Sequence, residues 1–229
     1  MDVGEALMDK TIVYYTANKI PEHFAENVRN DLLRVIDNAN IPIISVSQKP
    51  INFGENICVG NIGASAYNVY KQILEGALRV KTKYLICCED DTLYSMSHFN
   101  FIPFNDDTFY YSKSRWILED YNLFRYRNRT TMCACIVNTE FIIFTLEQRF
   151  KKYPIELKGY PWGEPGRVEQ HFGLSIPKLC YFETDTPIVT FNHKFGLARP
   201  RKAGPTDINK SILFPWGDAG ELWRNIHGC

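Results

Sequence analysis

Three short apolar, β-branched runs constrain this fold more than any other feature: TIVYYT at 11–16, IPIISV at 41–46 and YLICC at 84–88. Each is too short for a helix and lacks the alternation of a strand with one wet face, so each reads as a strand buried on both sides. Between the first two, Asn18, Pro21 and Glu22 open a segment reaching about residue 39. Its Phe24, Val28, Leu32, Val35 and Ile36 recur at helical spacing. Between the second and third, after a Gly/Asn-rich connector, residues 65–80 gather Ala66, Val69, Tyr70, Ile73, Leu74, Ala77 and Leu78 on one helical face. Alternating strands and helices with strands of this kind predict an α/β fold: a mostly parallel sheet, helices on both faces, right-handed crossovers. Such sheets bind ligands beyond the carboxyl ends of their strands, which directs attention to residues 16–19, 45–49 and 89–91.

Composition narrows the function. In 229 residues, 26 Lys+Arg balance 26 Asp+Glu, so a polyanion would have to be met by a local basic patch and not by overall charge. A hydrophobic share of 45% excludes intrinsic disorder. The 7 cysteines include no CxxC pair and several sit in apolar runs, so they read as buried free thiols; Cys87 and Cys88 should point to opposite sheet faces. Residues 1–10 lack an apolar signal core, and no run approaches the roughly 18 apolar residues of a membrane span, so a reduced, cytoplasmic setting is expected. The sequon Asn128-Arg129-Thr130 is then a chance match. From about residue 100 the pattern changes: aromatic-rich segments at 99–111, 114–129 and 130–137 suggest short strands, expected to be antiparallel. A helix follows at 138–152, a turn-rich loop at 159–166, another helix at 168–175, a strand at 188–191 and a loose tail from 195. One domain is expected, with a nucleotide-binding half at 1–98 and an irregular acceptor-binding half at 99–229.

The chemistry concentrates at Glu89-Asp90-Asp91, where an apolar strand ends in three adjacent carboxylates. Their mutual repulsion is relieved by a divalent cation, Mg²⁺ or Mn²⁺, which commonly bridges carboxylates to a substrate diphosphate. The plainer alternative is an acidic loop capping the next element. A helix beginning NIGASAYN, with Asn61, Gly63, Ser65 and Asn68, precedes this strand. Together they resemble the GT-A-fold glycosyltransferases, especially family 2, over residues 11–95.

That resemblance implies roles for individual residues. Asp91 would ligate the metal, while Glu89 and Asp90 contact ribose or metal-bound water, and Gly63 and Ser65 belong to the donor site. Thr16 and Asn18 would grip the nucleoside. Ser47 and Gln48 stand where the family often places an Asp that reads uracil, a departure that changes the donor pattern offered to the base. His193, after the strand PIVTF, would be a second metal ligand, which favours manganese over magnesium. Arg199, Arg201 and Lys202 would neutralise the diphosphate or cover it. If the reaction inverts the sugar, a carboxylate must take the acceptor proton; Glu169 is the first candidate and Glu164 the second. A retaining reaction needs no such base. For each of these the competing reading is ordinary turn chemistry, helix capping or a solvated tail.

Trp162 and Tyr160 are candidates to stack on a sugar or base. Arg125, Arg127 and Arg129 alternate and so share one face of an extended segment beside aromatics, an arrangement suited to phosphate backbones and unstacked bases, or to a solvated edge strand. The stretches SVSQKPINFGENICVGNIGAS and EDDTLYSMSHF are also similar to small phage and bacterial transferases, some of which glycosylate hydroxymethylated pyrimidines in DNA. The expectation is therefore a metal-dependent transfer of a sugar from a UDP-like donor to a hydroxyl, with DNA as acceptor. A surface polysaccharide or a protein hydroxyl are alternative acceptors. A nucleotidyltransferase is a neighbouring class, although TANKIPEH is not its Gly-rich basic loop. A non-catalytic nucleotide-sugar-binding module is the non-enzymatic alternative.

Overall fold

A computed structural model of the protein describes residues 9–119, 122–126, 128–156, 162–194 and 207–228. β1 (Lys10–Thr16) is buried along its whole length and passes through residues 17–21 into α1 (Glu22–Ile36). Pro21 sits at the N-cap, Glu22 lies in the first turn and Arg34 in the last, an order that suits the helix dipole. β2 (Ile43–Ser47), β3 (Glu55–Cys58), α2 (Ala66–Ala77) and β4 (Tyr84–Glu89) follow. Ser65 caps α2, its hydroxyl accepting the Asn68 N–H at 3.2 Å.

Beyond β4 come β5 (Thr92–Leu93), the short α3 (Met96–Phe99), β6 (Thr108–Ser112), β7 (Arg115–Glu119), β8 (Leu123–Tyr126), β9 (Cys135–Asn138) and α4 (Thr139–Lys152). The chain continues through α5 (Glu169–Phe172), β10 (Lys178–Phe182), β11 (Ile188–Phe191), β12 (Ile208–Lys210), β13 (Ile212–Leu213), β14 (Gly217–Asp218) and α6 (Ala219–His227). Seven strands form the main sheet in the order β10-β6-β9-β4-β1-β2-β3. β1 is parallel to both β2 and β4, and β2 to β3, while β9 runs antiparallel between β4 and β6. A second sheet, β12-β8-β7-β11-β5, stands beside the carboxyl end of β4, joined to it by the two residues between β4 and β5.

The pleat sorts the core. Ile12, Tyr14, Ile86 and Cys88 pack with Leu32 and Ile36 of α1. Val13, Tyr15, Leu85 and Cys87 pack with Tyr70 and Ile73 of α2 and Leu146 of α4. Cys87 and Cys88 thus face opposite sides, as the sequence predicts. Gly76 of α2 lies so close to the sheet that a Cβ there would meet Val13 Cγ1 at 2.5 Å and Val46 Cγ2 at 3.0 Å. Both neighbours are stiff, β-branched side chains. Gly76→Ala is therefore expected to destabilise by about 1–3 kcal/mol despite its better helix propensity, as urea denaturation would register.

Four expectations need correction. The connector before α2 contains β3, a half-exposed edge strand with no continuous apolar run to announce it. The tail is not loose over 207–228: β12–β14 and α6 form there, and α6 is capped by Asp218, which accepts the Glu221 N–H at 3.0 Å. The helix expected at 168–175 shrinks to the single turn of α5, stopped by Gly173 at φ +61°. The strands between 99 and 126 are also not all antiparallel, since β6 pairs in parallel with β10 and β7 with β11. Among the described residues no helix is long and apolar enough to cross a membrane.

His98 is fully buried between aromatic rings, stacked 5.6 Å from Phe182, and neither ring nitrogen has a hydrogen-bond partner among the described residues. Burial, aided by the charge of Lys10, pushes its pKa down to about 3. The unfolded chain binds this proton near pH 6.5 and the folded chain does not, so the stability due to neutral His98 is complete above pH 6.5 and erodes as pH falls towards 3. Chemical denaturation is expected to show a loss approaching about 1.4 kcal/mol per pH unit below 6.5, and His98→Leu should flatten that slope.

Candidate active site

The carboxyl ends of β1 and β4, the N-terminal end of α2 and one face of β7 and β11 in the second sheet enclose a cleft of about 290 Å³. Thr16, Gly63, Ser65, Glu89, Asp90, Asp91, Arg129, Glu164 and His193, all singled out from the sequence, line it. Glu89 ends β4, where its Oε1 accepts the Tyr15 hydroxyl at 2.6 Å and its backbone N–H donates to Tyr94 Oη at 3.0 Å. Asp90 accepts the Thr16 hydroxyl, and Thr16 Oγ1 in turn accepts the Asn18 N–H at 2.8 Å. Burial raises the pKa of both Glu89 and Asp90 well above the usual carboxylate range, and the charge of Asp91 pushes in the same direction. The site accumulates more negative charge than it can comfortably solvate.

Asp91 lies just after this strand end. Its Oδ1 accepts the Thr92 hydroxyl at 3.1 Å, and its Oδ2 stands 3.0 Å from His193 Nε2. The backbone explains the meeting: β11 pairs with β5, and the Phe191 N–H donates to the Asp91 carbonyl at 2.8 Å, which delivers His193 to the acidic tip. Burial alone would lower the His193 pKa; the bond to Asp91 and the charges of Asp91 and Asp90 outweigh it, and the net direction is upward. Among the described residues no group of three or more His, Cys, Asp and Glu side chains is arranged to hold a metal. A carboxylate and an imidazole at one point of an open cleft nevertheless fit a half-site of two protein ligands, with the remaining positions falling to substrate oxygens and water.

Other sequence candidates stand behind the cleft wall. Asn18, at φ +51°, accepts the N–H groups of Gln48 and Lys49 at 2.8 and 2.9 Å and so ties the β1 loop to the β2 loop. Gln48 clamps Gly63 from both sides, donating to its carbonyl at 2.8 Å and accepting its N–H at 3.1 Å. Ser47 is buried and accepts from Asn56 Nδ2 at 2.9 Å. These residues shape the loop entering α2 without lining the cleft. Arg199, Arg201, Lys202, Arg127 and Tyr160 lie outside the described residues.

Glu169 is not placed in the cleft. It is 1% exposed; its Oε1 accepts Arg149 Nε at 2.9 Å together with Nη2, and its Oε2 accepts the Gly166 N–H at 2.6 Å. Both oxygens are therefore occupied. Arg149, fully buried on α4, also donates to the Gly163 carbonyl at 2.8 Å, so the pair braces the loop that carries Glu164. Glu164 lines the cleft with its side chain 22% exposed and Arg167 3.7 Å away. Trp162 is buried in an aromatic nest, 5.0 Å from Phe150 and 4.8 Å from Tyr67, and does not line the cleft. Arg125 turns inward onto Glu119 at 2.5 Å. Of the alternating arginines, Arg125 thus stands in an ion pair and Arg129 lines the cleft. Lys19, within the 16–19 strand end flagged from the sequence, also lines the cleft; Arg115, Thr131 and Cys133 line it too and were missed, although the period-two placement of Arg115 on the same face of β7 as Glu119 was an available signal.

No protein-family model matches the chain, and no curated protein matches it in sequence. Among solved structures it is similar to a glycosyltransferase involved in the glycosylation of the major capsid of PBCV-1, with a TM-score of 0.49 and 8% identity. That likeness covers 79% of this chain and 92% of the other. It is also similar to the apo form of the glycosyltransferase GlyE of Streptococcus pneumoniae TIGR4 at a TM-score of 0.46 and 9% identity, over 75% of this chain and 45% of that one. A third likeness is to the bifunctional IspDF of Campylobacter jejuni, at a TM-score of 0.37 and 9% identity over 77% of this chain and 50% of that one.

Proposed function

We propose that the protein is a glycosyltransferase that moves a sugar from a nucleotide-diphosphate donor, UDP-linked in the first instance, to a hydroxyl acceptor. The observation that carries this reading is the convergence of Asp91 and His193, 102 residues apart, at the acidic tip of β4 in the cleft. Asp91 and His193 would hold a divalent cation, manganese before magnesium, which when bound stabilises the negative charge developing on the departing diphosphate. Residues 1–98 supply the donor half, with Glu89 and Asp90 fixed by Tyr15 and Thr16 to meet the ribose and the hydration around the metal. Residues 99–229 would supply the acceptor half and, through His193, part of the donor site.

Glu164 takes the proton of the acceptor hydroxyl as its oxygen attacks the anomeric carbon, and the bond from that carbon to the diphosphate oxygen breaks, the leaving group keeping the electron pair. Glu164→Gln is expected to lower kcat about 10²–10⁴-fold while UDP affinity, measured by calorimetry, stays unchanged. Equal turnover in the variant would remove Glu164 from this role and favour a retaining reaction.

The decisive test is incubation with a panel of nucleotide sugars and Mn²⁺, following free nucleoside diphosphate. Release of UDP supports transfer, binding without release favours a sensing module, and release of pyrophosphate from a nucleoside triphosphate favours a nucleotidyltransferase. Hydroxymethylcytosine DNA belongs among the acceptors, because Arg129 lies in the cleft; since Arg125 is engaged by Glu119, polysaccharide and protein hydroxyls are supplied in parallel.

A further inference from the structure

Arg115 opens β7 and is only 6% exposed. Among the described residues its guanidinium has no hydrogen bond and no ion pair, and its Nε is sealed from solvent without an acceptor. Buried charges are ordinarily paired, since an unpaired one costs several kcal/mol of desolvation. The alternation of β7 puts Arg115, Ile117 and Glu119 on one face, and all three line the cleft. Glu119 is already engaged by Arg125 at 2.5 Å. The positive charge of Arg115 acts on Glu89 and on Cys133, yet Glu89 Oε1 takes its hydrogen bond from Tyr15 at 2.6 Å and none from the guanidinium. A structural counter-ion would close on a carboxylate at about 2.7–2.9 Å. What remains is a planar guanidinium in the wall of a cleft that Thr131 and Thr190 also line, a group whose fork of donors can receive a carboxylate or phosphate bidentately.

We propose that Arg115 is a substrate-binding residue whose guanidinium receives an oxyanion of the donor molecule in the cleft, either its diphosphate or the carboxylate of an acidic sugar. The identity of the ligand rests on the glycosyltransferase reading; the anion-binding role of Arg115 does not.

The test is calorimetric titration of UDP, UDP-glucose, UDP-glucuronate and inorganic pyrophosphate, each with Mn²⁺, into wild type, Arg115→Met and Arg115→Lys. If the diphosphate is the oxyanion, Arg115→Met weakens all four about 10–100-fold and Arg115→Lys recovers part of the loss. If a sugar carboxylate is the oxyanion, the loss is confined to UDP-glucuronate. In both cases Arg115→Met melts at or above the wild-type temperature, because it removes a buried charge that no protein group satisfies. Unchanged affinity for every ligand the wild type binds overturns the proposal. So does a melting temperature lower by more than about 5 °C in both variants, which would make Arg115 structural. Wild-type binding of pyrophosphate without UDP would sink the nucleotide-sugar reading and leave Arg115 to be judged on pyrophosphate alone. Binding of none of the four sinks both.

Discussion

Replacing Asp91 with Ala is expected to abolish metal-dependent UDP binding and to reduce sugar transfer by at least about a hundredfold. Asp91 and His193 would hold the cation together, and without it Asp91 Oδ2 stands 3.0 Å from His193 Nε2 and keeps the imidazole at the acidic tip. His193→Ala removes the weaker of the two contributions and should fall between wild type and Asp91→Ala. Folding is not what fails. Deleting one of three mutually repelling carboxylates offsets the lost bonds to Thr92 and His193, so the melting temperature in metal-free buffer should stay within about 4 °C of wild type. Metal-dependent UDP affinity that survives the substitution would move the cation site elsewhere and take the proposed function with it.

The second large effect is expected at Glu169, through stability and not through the chemistry. Glu169→Ala leaves the fully buried guanidinium of Arg149 without its carboxylate, which costs about 3–5 kcal/mol and lowers the melting temperature by roughly 10 °C. The paired replacement Arg149→Met with Glu169→Leu removes both charges together and should recover most of that loss. It should not recover turnover, because Gly163 O and Gly166 N–H lose the side chains that anchor the loop carrying Glu164. A stable double variant with wild-type kcat would show that the brace does not position Glu164. Reading both quantities in the same pair of variants separates a structural ion pair from a catalytic carboxylate.

Glu169 also shows where sequence reasoning stops. An acidic residue near the start of a short helix looks the same whether it points to water, to substrate or to a buried arginine 20 positions earlier. Only the packing of α4 against the 163–169 loop distinguishes these. Trp162 and Arg125 follow the same rule, one absorbed by the aromatic nest of Phe150 and Tyr67, the other by Glu119. Gln48 is instructive in the opposite direction: it sits at a strand end as expected, yet its amide serves the backbone of Gly63.

The sequence by itself determined the central strands and helices, the separation of Cys87 from Cys88 across the sheet, and the acidic tip of β4 that comes to line the cleft. These are local properties, written in periodicities of two and 3.6 residues and in the burial of uninterrupted apolar strands. The tertiary structure alone decided which carboxylate faces the cleft, that Glu164 and not Glu169 does so, and that Arg115 stands there with no protein partner among the described residues. Those are contacts between segments far apart in the chain, and the side-chain direction that creates them depends on how one sheet edge and one loop pack against another, which no local pattern encodes.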